Sequence, residues 1–344
     1  MKWRHLALVV ALGMSGVARA GGELNLYNWS DYIPLDLLKK FEKDTGIKVN
    51  LDVYDSNETL LAKLKAGAKG YDVIVPSDYM VKIMITEKLL EKIDVNKMPN
   101  FKNVTAPLNK PVFDPSRSYT APYMWGVTGF TYDSTRVPGG KLEDSWKSFF
   151  EPPAAMKGQM VALNDVNELF VAASLYLKVD QCTEDPKEAQ KVLDLLLKQK
   201  PMLAMYNSDG TIERMQAKEV ILHHQWNGAA HRTKEKLKSA VFVYPKEGMS
   251  FWNDNFAIPV GAKNKDNALK FINWMMAPEN IALASNFTGY NNAIQGSDKF
   301  LLPALRDDPA VNTPAAYRSR FVPNKLCSTK AMALRDKVWT KLKK

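Results

Sequence analysis

The stretch Tyr71-Asp72-Val73-Ile74-Val75-Pro76 is a short, almost wholly apolar run that ends at a proline. Such runs are typical of strands that are buried on both faces of a parallel sheet. The residues before it alternate in pattern: 24–27 and 47–53 predict strands, whereas 35–43 and 57–66 have the apolar spacing of helices. Strands that alternate with helices of about ten residues predict an α/β fold.

The rest of the chain continues this alternation. Residues 119–133 and 251–260 are extended, aromatic-rich runs that divide the chain into thirds, and we expect them to connect two lobes. The remaining predicted strands are 160–163, 220–223 and 241–244, and the remaining predicted helices are 187–198, 266–276, 279–286 and 328–343.

The first 20 residues have the layout of a secretory signal. Lys2 and Arg4 precede an apolar run over 6–14, and Ala18-Arg19-Ala20 provides a small-x-small cleavage site. The apolar run is too short for a stable membrane anchor. We therefore expect an exported, periplasmic protein that is cleaved after Ala20. Without the leader, the 344 residues become 324, a length that predicts two domains.

The chain is basic, with 47 Lys and Arg against 37 Asp and Glu, and three of the basic residues lie in the leader. Export and the scattered placement of the lysines argue against nucleic acid as a partner. Net charge describes the whole surface, whereas a ligand responds to the field inside a cleft, where a few acids can dominate. A basic chain can therefore still bind a cation.

The residues that carry metal or catalytic chemistry form no recognisable pattern. His223, His224 and His231 lack the accompanying spacing of a zinc site, and no phosphate loop or activated nucleophile is apparent. We therefore expect no metal, no cofactor and no enzymatic activity. Cys182 and Cys327 could form one disulfide in an oxidising compartment, but two isolated cysteines carry no spacing signature, so the sequence leaves their pairing open.

Aromatic side chains recur beside polar and acidic ones, beginning with Trp29-Ser30-Asp31-Tyr32. An aromatic face and a carboxylate together attract an organic cation, since the ring contributes roughly 0.5–2 kcal/mol and the ion pair on the order of 4 kcal/mol at a dielectric constant near 20. Similar groups occur at 77–79, 164–168, 226–228, 252–254 and 290–292. Ligands of open α/β sheets bind beyond the carboxyl ends of strands, which places the first two groups in one crevice.

Each group also has a purely structural interpretation. Trp226 or Trp252 alone could pack in a core or hinge, and Asp165 with Glu168 could complement a helix N-terminus. Ser77 could cap the helix that follows Pro76. The repetition of such groups after several predicted strands favours a binding site.

The chain resembles the periplasmic spermidine/putrescine-binding proteins that serve polyamine ABC transporters. The resemblance extends over nearly all of the mature chain and includes residues 26–33 (LYNWSDYI), 41–49 (FEKDTGIKV), 71–77 (YDVIVPS), 122–126 (PYMWG), 245–248 (PKEG) and 262–265 (AKNK). It implies a type II periplasmic binding protein, in which two α/β lobes are joined by crossing strands and close over the ligand. The implied lobes are 21–127 with 256–303, and 128–255 with 304–344.

The resemblance also implies twelve ligand-binding residues. They are Trp29, Ser30, Asp31, Tyr32, Ser77, Tyr79, Asp165, Glu168, Trp226, Trp252, Asp254 and Tyr290. A polyamine alternates ammonium groups with methylenes, so its site must alternate carboxylates with aromatic faces.

Three positions depart from the family pattern. Putrescine-preferring members have an acid where this chain has Ala229, so a triamine is favoured here. A family glutamine near the C-terminus has no clear counterpart around Pro323-Asn324-Lys325, and Lys325 must face solvent unless that end of the site differs. Asp78 is an extra acid that could compensate.

The predicted function is capture of spermidine or a similar triamine by a monomer that delivers it to an inner-membrane ABC permease. A polyamine sensor that signals through a membrane protein is the alternative. The cleft would look alike in both, because either partner reads the outer surfaces of the lobes.

Overall fold

The structure is a computed structural model that describes residues 21–67, 69–106 and 108–344. The predicted leader and its cleavage site after Ala20 lie outside the described residues. Within the described part of the chain, no helix combines the length and apolar character needed to cross a membrane.

The first third of the chain alternates strands and helices, as the sequence predicts. Its elements are β1 (Gly22–Trp29), α1 (Leu35–Thr45), β2 (Ile47–Tyr54), α2 (Asn57–Lys65), β3 (Val73–Ile74), α3 (Asp78–Thr86) and β4 (Thr120–Asp133). Helix α1 forms because Leu37, Leu38 and Phe41 share one buried face. It ends at Gly46, whose φ of 75° is readily adopted without a Cβ.

The remainder of the chain forms a second set of alternating strands and helices and then adds elements to the first set. Its elements are α4 (Lys147–Phe150), β5 (Met160–Ala162), α5 (Val166–Leu177), α6 (Pro186–Gln199), β6 (Leu203–Tyr206), α7 (Thr211–Gln216), β7 (Leu222–Trp226), α8 (Asn227–Lys236), β8 (Ala240–Val243), β9 (Met249–Ala257), α9 (Lys265–Met275), α10 (Pro278–Thr288), β10 (Asn291–Asn292), α11 (Pro303–Arg306), α12 (Ala315–Arg318), β11 (Phe321–Pro323) and α13 (Thr329–Lys343).

The strands form one sheet in the order β2-β1-β3-β9-β4-β7-β5-β6, with β10 and β8 paired to β4 and β11 paired to β9. Strands β1, β2 and β3 are parallel at one end, and β5, β6 and β7 are parallel at the other. Between them, β4 and β9 run antiparallel to each other. The two extended runs predicted to connect the lobes are therefore strands that cross between two α/β lobes.

Two large apolar cores lie on either side of these crossing strands. The first core contains Leu24 and Phe41 and is completed by residues as late as Ile294. The second core contains Phe130 and Trp146 and reaches Leu342 in α13. These cores agree with a two-lobed architecture, and the lobe boundaries given above stay a prediction.

Among the strand boundaries that differ from the sequence prediction, two concern tryptophans. β1 continues through Trp29, which was expected in a loop, because β1 pairs with β2 in parallel as far as Trp29 and Tyr54. β7 begins at Leu222 and runs on to Trp226, because that length is paired with β4. Both aromatic residues therefore sit on strand ends, where pairing fixes their backbone.

Candidate functional site

All twelve predicted ligand-binding residues line one cleft. The cleft is bounded by the ends of β1 and β7, by β9, and by the loop that follows β5. Its predicted lining residues are Trp29, Ser30, Asp31, Tyr32, Ser77, Tyr79, Asp165, Glu168, Trp226, Trp252, Asp254 and Tyr290. Ligand contact by these residues stays a prediction, but the geometry that it requires is present.

Trp29 forms a fixed wall of the cleft. Its indole Nε1 donates a hydrogen bond of 2.8 Å to the carbonyl oxygen of Val75, and its ring lies 4.7 Å from that of Tyr54. Ser30 and Asp31 follow at the exposed rim. A ligand would therefore meet a pre-oriented indole face at this side.

Asp254 lies at the centre of the cleft wall and is almost fully buried. The Ser77 hydroxyl donates to its Oδ1 over 2.6 Å, and the Tyr32 hydroxyl donates to its Oδ2 over 2.8 Å. Ser77 precedes α3 but makes no side-chain cap hydrogen bond, so its hydroxyl serves Asp254 instead. Two donors hold the carboxylate in place and leave it without a cationic partner.

Three aromatic rings of the cleft lining pack together, and one of them, Tyr32, donates to this carboxylate. Tyr290 contacts both Tyr32 and Trp252 edge to face, with centroid distances of 5.6 and 5.2 Å. Trp252 and Asp254 are two residues apart on β9, so they share one face of the strand. The position of Tyr290 requires Gly228, because a Cβ there would lie 2.4 Å from the tyrosine ring.

The opposite lobe contributes two buried acids at the start of α5. Asp165 caps the helix by accepting a 2.9 Å hydrogen bond from the backbone N–H of Glu168, so its predicted capping role and its place in the cleft coexist. The Oε2 atom of Glu168 is buried and has no hydrogen-bond partner among the described residues. An unpartnered carboxylate oxygen in a cleft is suited to accept from a ligand.

Tyr79 belongs to a hydrogen-bonded group that includes Asn57 and Glu58, which are not among the twelve predicted site residues. Its hydroxyl accepts from Asn57 over 3.1 Å and donates to Glu58 Oε1 over 3.2 Å. Asn57 also donates to the Ser77 hydroxyl over 3.0 Å. This group connects the Tyr79 side of the cleft with the Ser77 and Asp254 pair.

Burial governs the protonation of the cleft acids. It raises the pKa of Asp254 to about 7, although the hydrogen bonds from Ser77 and Tyr32 act in the opposite direction. Burial also raises the pKa values of Asp165 and Glu168, and the Asp165 charge adds to the rise at Glu168. A cation bound between these acids would favour their ionised forms.

These pKa shifts predict that cation binding weakens at acidic pH. An ammonium ligand stays charged below pH 8, but Asp254 must lose a proton to pair with it once the pH falls below about 7. We expect the affinity to fall by about tenfold or more between pH 7.5 and 5.5, and binding near pH 7 to release protons. Calorimetry in buffers of different ionisation enthalpy measures both quantities. A constant affinity over this range would contradict the prediction.

The cleft has further lining residues that the sequence analysis did not single out. They include Tyr54, Asn57, Ser208, Asp209, Glu213 and Arg232. Tyr54 ends β2, and Ser208 follows β6, so the rule that ligands lie beyond strand ends could have located both. Arg232 carries no comparable signal, whereas Asn324 lies in the segment 323–325 that the resemblance marked for a family glutamine, and it lines the cleft.

The suggestion that Asp78 compensates within the cleft is wrong. Asp78 is buried behind the lining, where it accepts from the backbone N–H of Tyr79 over 2.7 Å and from the side chains of Asn253 and Asn324 over 3.3 Å each. It bridges structural segments and is not among the residues that line the cleft. These nearby donors hold it away from the open space.

The C-terminal segment explains the orientation of Lys325. Its ammonium pairs with Asp180 at 2.6 Å on the exposed surface, so it points away from the cleft, whereas the preceding Asn324 lines it. Cys182 and Cys327 form a disulfide beside this ion pair. The pairing that the sequence left open is thus made, and it anchors the segment that contains Asn324.

The described residues contain no group of His, Cys, Asp and Glu that could hold a metal ion. His224 packs against Trp146 and Phe149 in the second lobe, and burial lowers the pKa values of His223 and His224 to about 3. The arrangement of buried acids and aromatic faces is suited to holding an organic cation.

Comparison with known proteins gives consistent matches over most of the chain. A family model described as bacterial extracellular solute-binding protein matches residues 36–313. The spermidine/putrescine-binding periplasmic protein of Salmonella typhimurium is 39% identical over 93% of this chain and 92% of its own length. The putrescine-binding periplasmic protein PotF of Escherichia coli is 33% identical over 97% of this chain and 95% of its own length.

A solved structure gives the same result for the fold. The spermidine/putrescine ABC transporter substrate-binding protein PotD from Streptococcus pneumoniae, in complex with calcium and HEPES, has a TM-score of 0.77 and 27% identity over 94% of this chain and 98% of that chain. The matched family and these relatives are solute-binding proteins and not enzymes.

Proposed function

The chain belongs to the bacterial extracellular solute-binding protein family, and from that premise we propose that it captures a polyamine between its two lobes and delivers it to an ABC permease. The observation that carries the proposal is the set of three buried carboxylates in one cleft, those of Asp165, Glu168 and Asp254. Each buried carboxylate without a cationic partner is costly, and an ammonium group removes that cost. The names of the relatives point to the same ligand class.

The proposal favours a triamine over a diamine. Three buried acids match three ammonium groups, and Trp29, Trp226 and Trp252 offer faces for the methylenes and charges between them. Ala229 lies on the cleft wall and carries no charge that would hold a further ammonium. Spermidine therefore fits this proposal better than putrescine.

The ligand would act by favouring the closed arrangement of the lobes. Tyr32 and Ser77 belong to the first lobe as proposed, whereas Asp165 and Glu168 belong to the second, so one polyamine would contact both. A ligand that binds the closed state more tightly shifts the population toward it. We propose that the protein acts as a monomer. The proposal includes export and cleavage after Ala20.

Calorimetric titration with putrescine, spermidine and spermine tests the proposal. We expect saturable binding, with spermidine bound more tightly than putrescine. Absence of heat and of any thermal stabilisation with all three amines would refute polyamine binding. A tighter complex with putrescine would refute only the triamine preference.

The membrane partner is a separate part of the proposal. Delivery to a permease is supported by the relative that is a substrate-binding protein of an ABC transporter. Spermidine-stimulated ATP hydrolysis by a reconstituted polyamine permease, dependent on this protein, tests it. Specific crosslinking to a membrane sensor, without stimulation of the permease, would favour the signalling alternative.

Trp29→Ala is expected to weaken spermidine binding by about tenfold or more, because a cation–π contact in a desolvated site contributes up to about 2 kcal/mol. Trp274→Ala is the matched control. Trp274 is partly buried against the first core, donates to Asp44 over 3.1 Å and does not line the cleft. Titration of both variants should show a loss of affinity only for Trp29→Ala, and equal losses would remove Trp29 from the site.

A further inference from the structure

Arg232 places a positive charge on the wall of a cleft whose buried charges are all acidic. It follows Ala229 by three positions in α8, and both residues line the cleft. Residues with this spacing lie on one face of a helix. The wall that lacks an acid at Ala229 therefore carries a guanidinium one turn later.

The side chain of Arg232 belongs to the cleft lining and also contacts Phe287, which lies outside the lining. The central carbon of its guanidinium lies 5.2 Å from the ring centre of Phe287. It forms no salt bridge with the described residues. Burial raises the pKa of Tyr290, and the nearby Arg232 charge opposes that rise, which places the charge within electrostatic reach of the tyrosine hydroxyl.

Two further acids of the cleft lining are exposed. Asp209 and Glu213 belong to the same cleft, but both are solvent-exposed, whereas Asp165, Glu168 and Asp254 are buried. Charges in contact with water interact weakly at a distance because solvent and salt screen them. Asp209 and Glu213 therefore interact only weakly with Arg232, which is itself half-buried.

We propose that Arg232 is a specificity-determining residue that excludes an ammonium group from the wall formed by Ala229 and Arg232, so that the cleft accepts triamines and rejects tetramines. The inference rests on the proposed polyamine-binding function. A triamine uses each buried carboxylate once. A tetramine must place a fourth ammonium elsewhere, and at this wall it meets a like charge without a counter-ion.

The experiment compares the affinities of spermidine and spermine in four proteins: wild type, Arg232→Gln, Arg232→Lys and Lys234→Gln. Arg232→Gln removes the charge and keeps a polar side chain, and Arg232→Lys keeps the charge. Lys234→Gln removes an equal charge from the same helix at an exposed position outside the lining. Thermal unfolding of each variant verifies that it is folded.

We expect Arg232→Gln to raise the spermine-to-spermidine affinity ratio by about tenfold or more, while Arg232→Lys and Lys234→Gln leave the ratio near that of the wild type. An unchanged ratio in Arg232→Gln, or an equal rise in Lys234→Gln, would overturn the role of Arg232 while leaving polyamine binding intact. If the wild type binds neither amine, the proposed function itself fails, and this inference fails with it.

Discussion

Asp254→Asn is expected to lower the affinity for spermidine by about 100-fold or more. Breaking one partner of a buried charge pair costs about 3–5 kcal/mol, because the remaining charge is left without compensation. In this variant the ammonium would remain in the cleft beside Ser77, Tyr32 and a neutral amide. Calorimetric titration at pH 7.5 measures the loss.

The folded state should tolerate this substitution. Asn has the shape of a protonated Asp, and burial already raises the pKa of Asp254 to about 7, so the neutral side chain is close to a form that the empty protein adopts. We therefore expect little loss of thermal stability. A variant that is folded yet binds spermidine within about threefold of the wild type would show that Asp254 is not a ligand-binding residue.

Asp78→Asn provides the matched control. Asp78 is as buried as Asp254, and burial raises its pKa to about 7 as well, but it does not line the cleft. If charge contact with the ligand is decisive, this variant should bind spermidine nearly as the wild type does. An equal loss in both variants would indicate a general effect of removing buried acids.

Loss of the Cys182–Cys327 disulfide is expected to have the largest effect on stability. The bond joins residues separated by 145 positions, and the chain-entropy model gives about 5 kcal/mol for a loop of this length. Denaturant unfolding with and without a reductant measures the loss. Cys182→Ser combined with Cys327→Ser should be as unstable as the reduced protein and should not respond to the reductant.

The disulfide should also affect the local segment near Asn324. Gln181, beside Cys182, donates to the carbonyl oxygen of Pro323 over 3.1 Å, and Arg335 donates to the carbonyl oxygen of Gln181 over 2.8 Å. Some anchoring contacts therefore persist without the bond. Equal free energies of unfolding with and without the disulfide would show that these contacts alone hold the segment.

Local sequence patterns were sufficient to predict the alternating architecture. The apolar run through Val73 and Ile74 indicated a buried parallel strand, and β3 is completely buried there. The ends of the strands were predicted less accurately. The limits of β1 and β7 depend on their pairing with β2 and β4, and short sequence windows do not show that pairing. Pairing partners are a property of the whole fold, and short windows do not contain them.

The candidate site was also predicted only in part. The rule that ligands bind beyond strand ends brought Trp29 and Ser77 together in advance. It could not show that the Ser77 hydroxyl donates to Asp254, which lies 177 residues later. Arg232 has no neighbouring group of aromatic and acidic residues to mark it. Asn324 is held at the cleft by the pairing of β11 with β9 and by its hydrogen bond to Asp78, which join segments distant in sequence.

The two apolar cores also determine when each lobe can finish folding. The first core needs residues up to Ile294, and the second includes Leu342, near the last residue. A nascent chain that has emerged only as far as β9 therefore contains neither core in full. Because contacts between distant segments form late and slowly, both lobes reach their final packing only after nearly the entire chain has been synthesised.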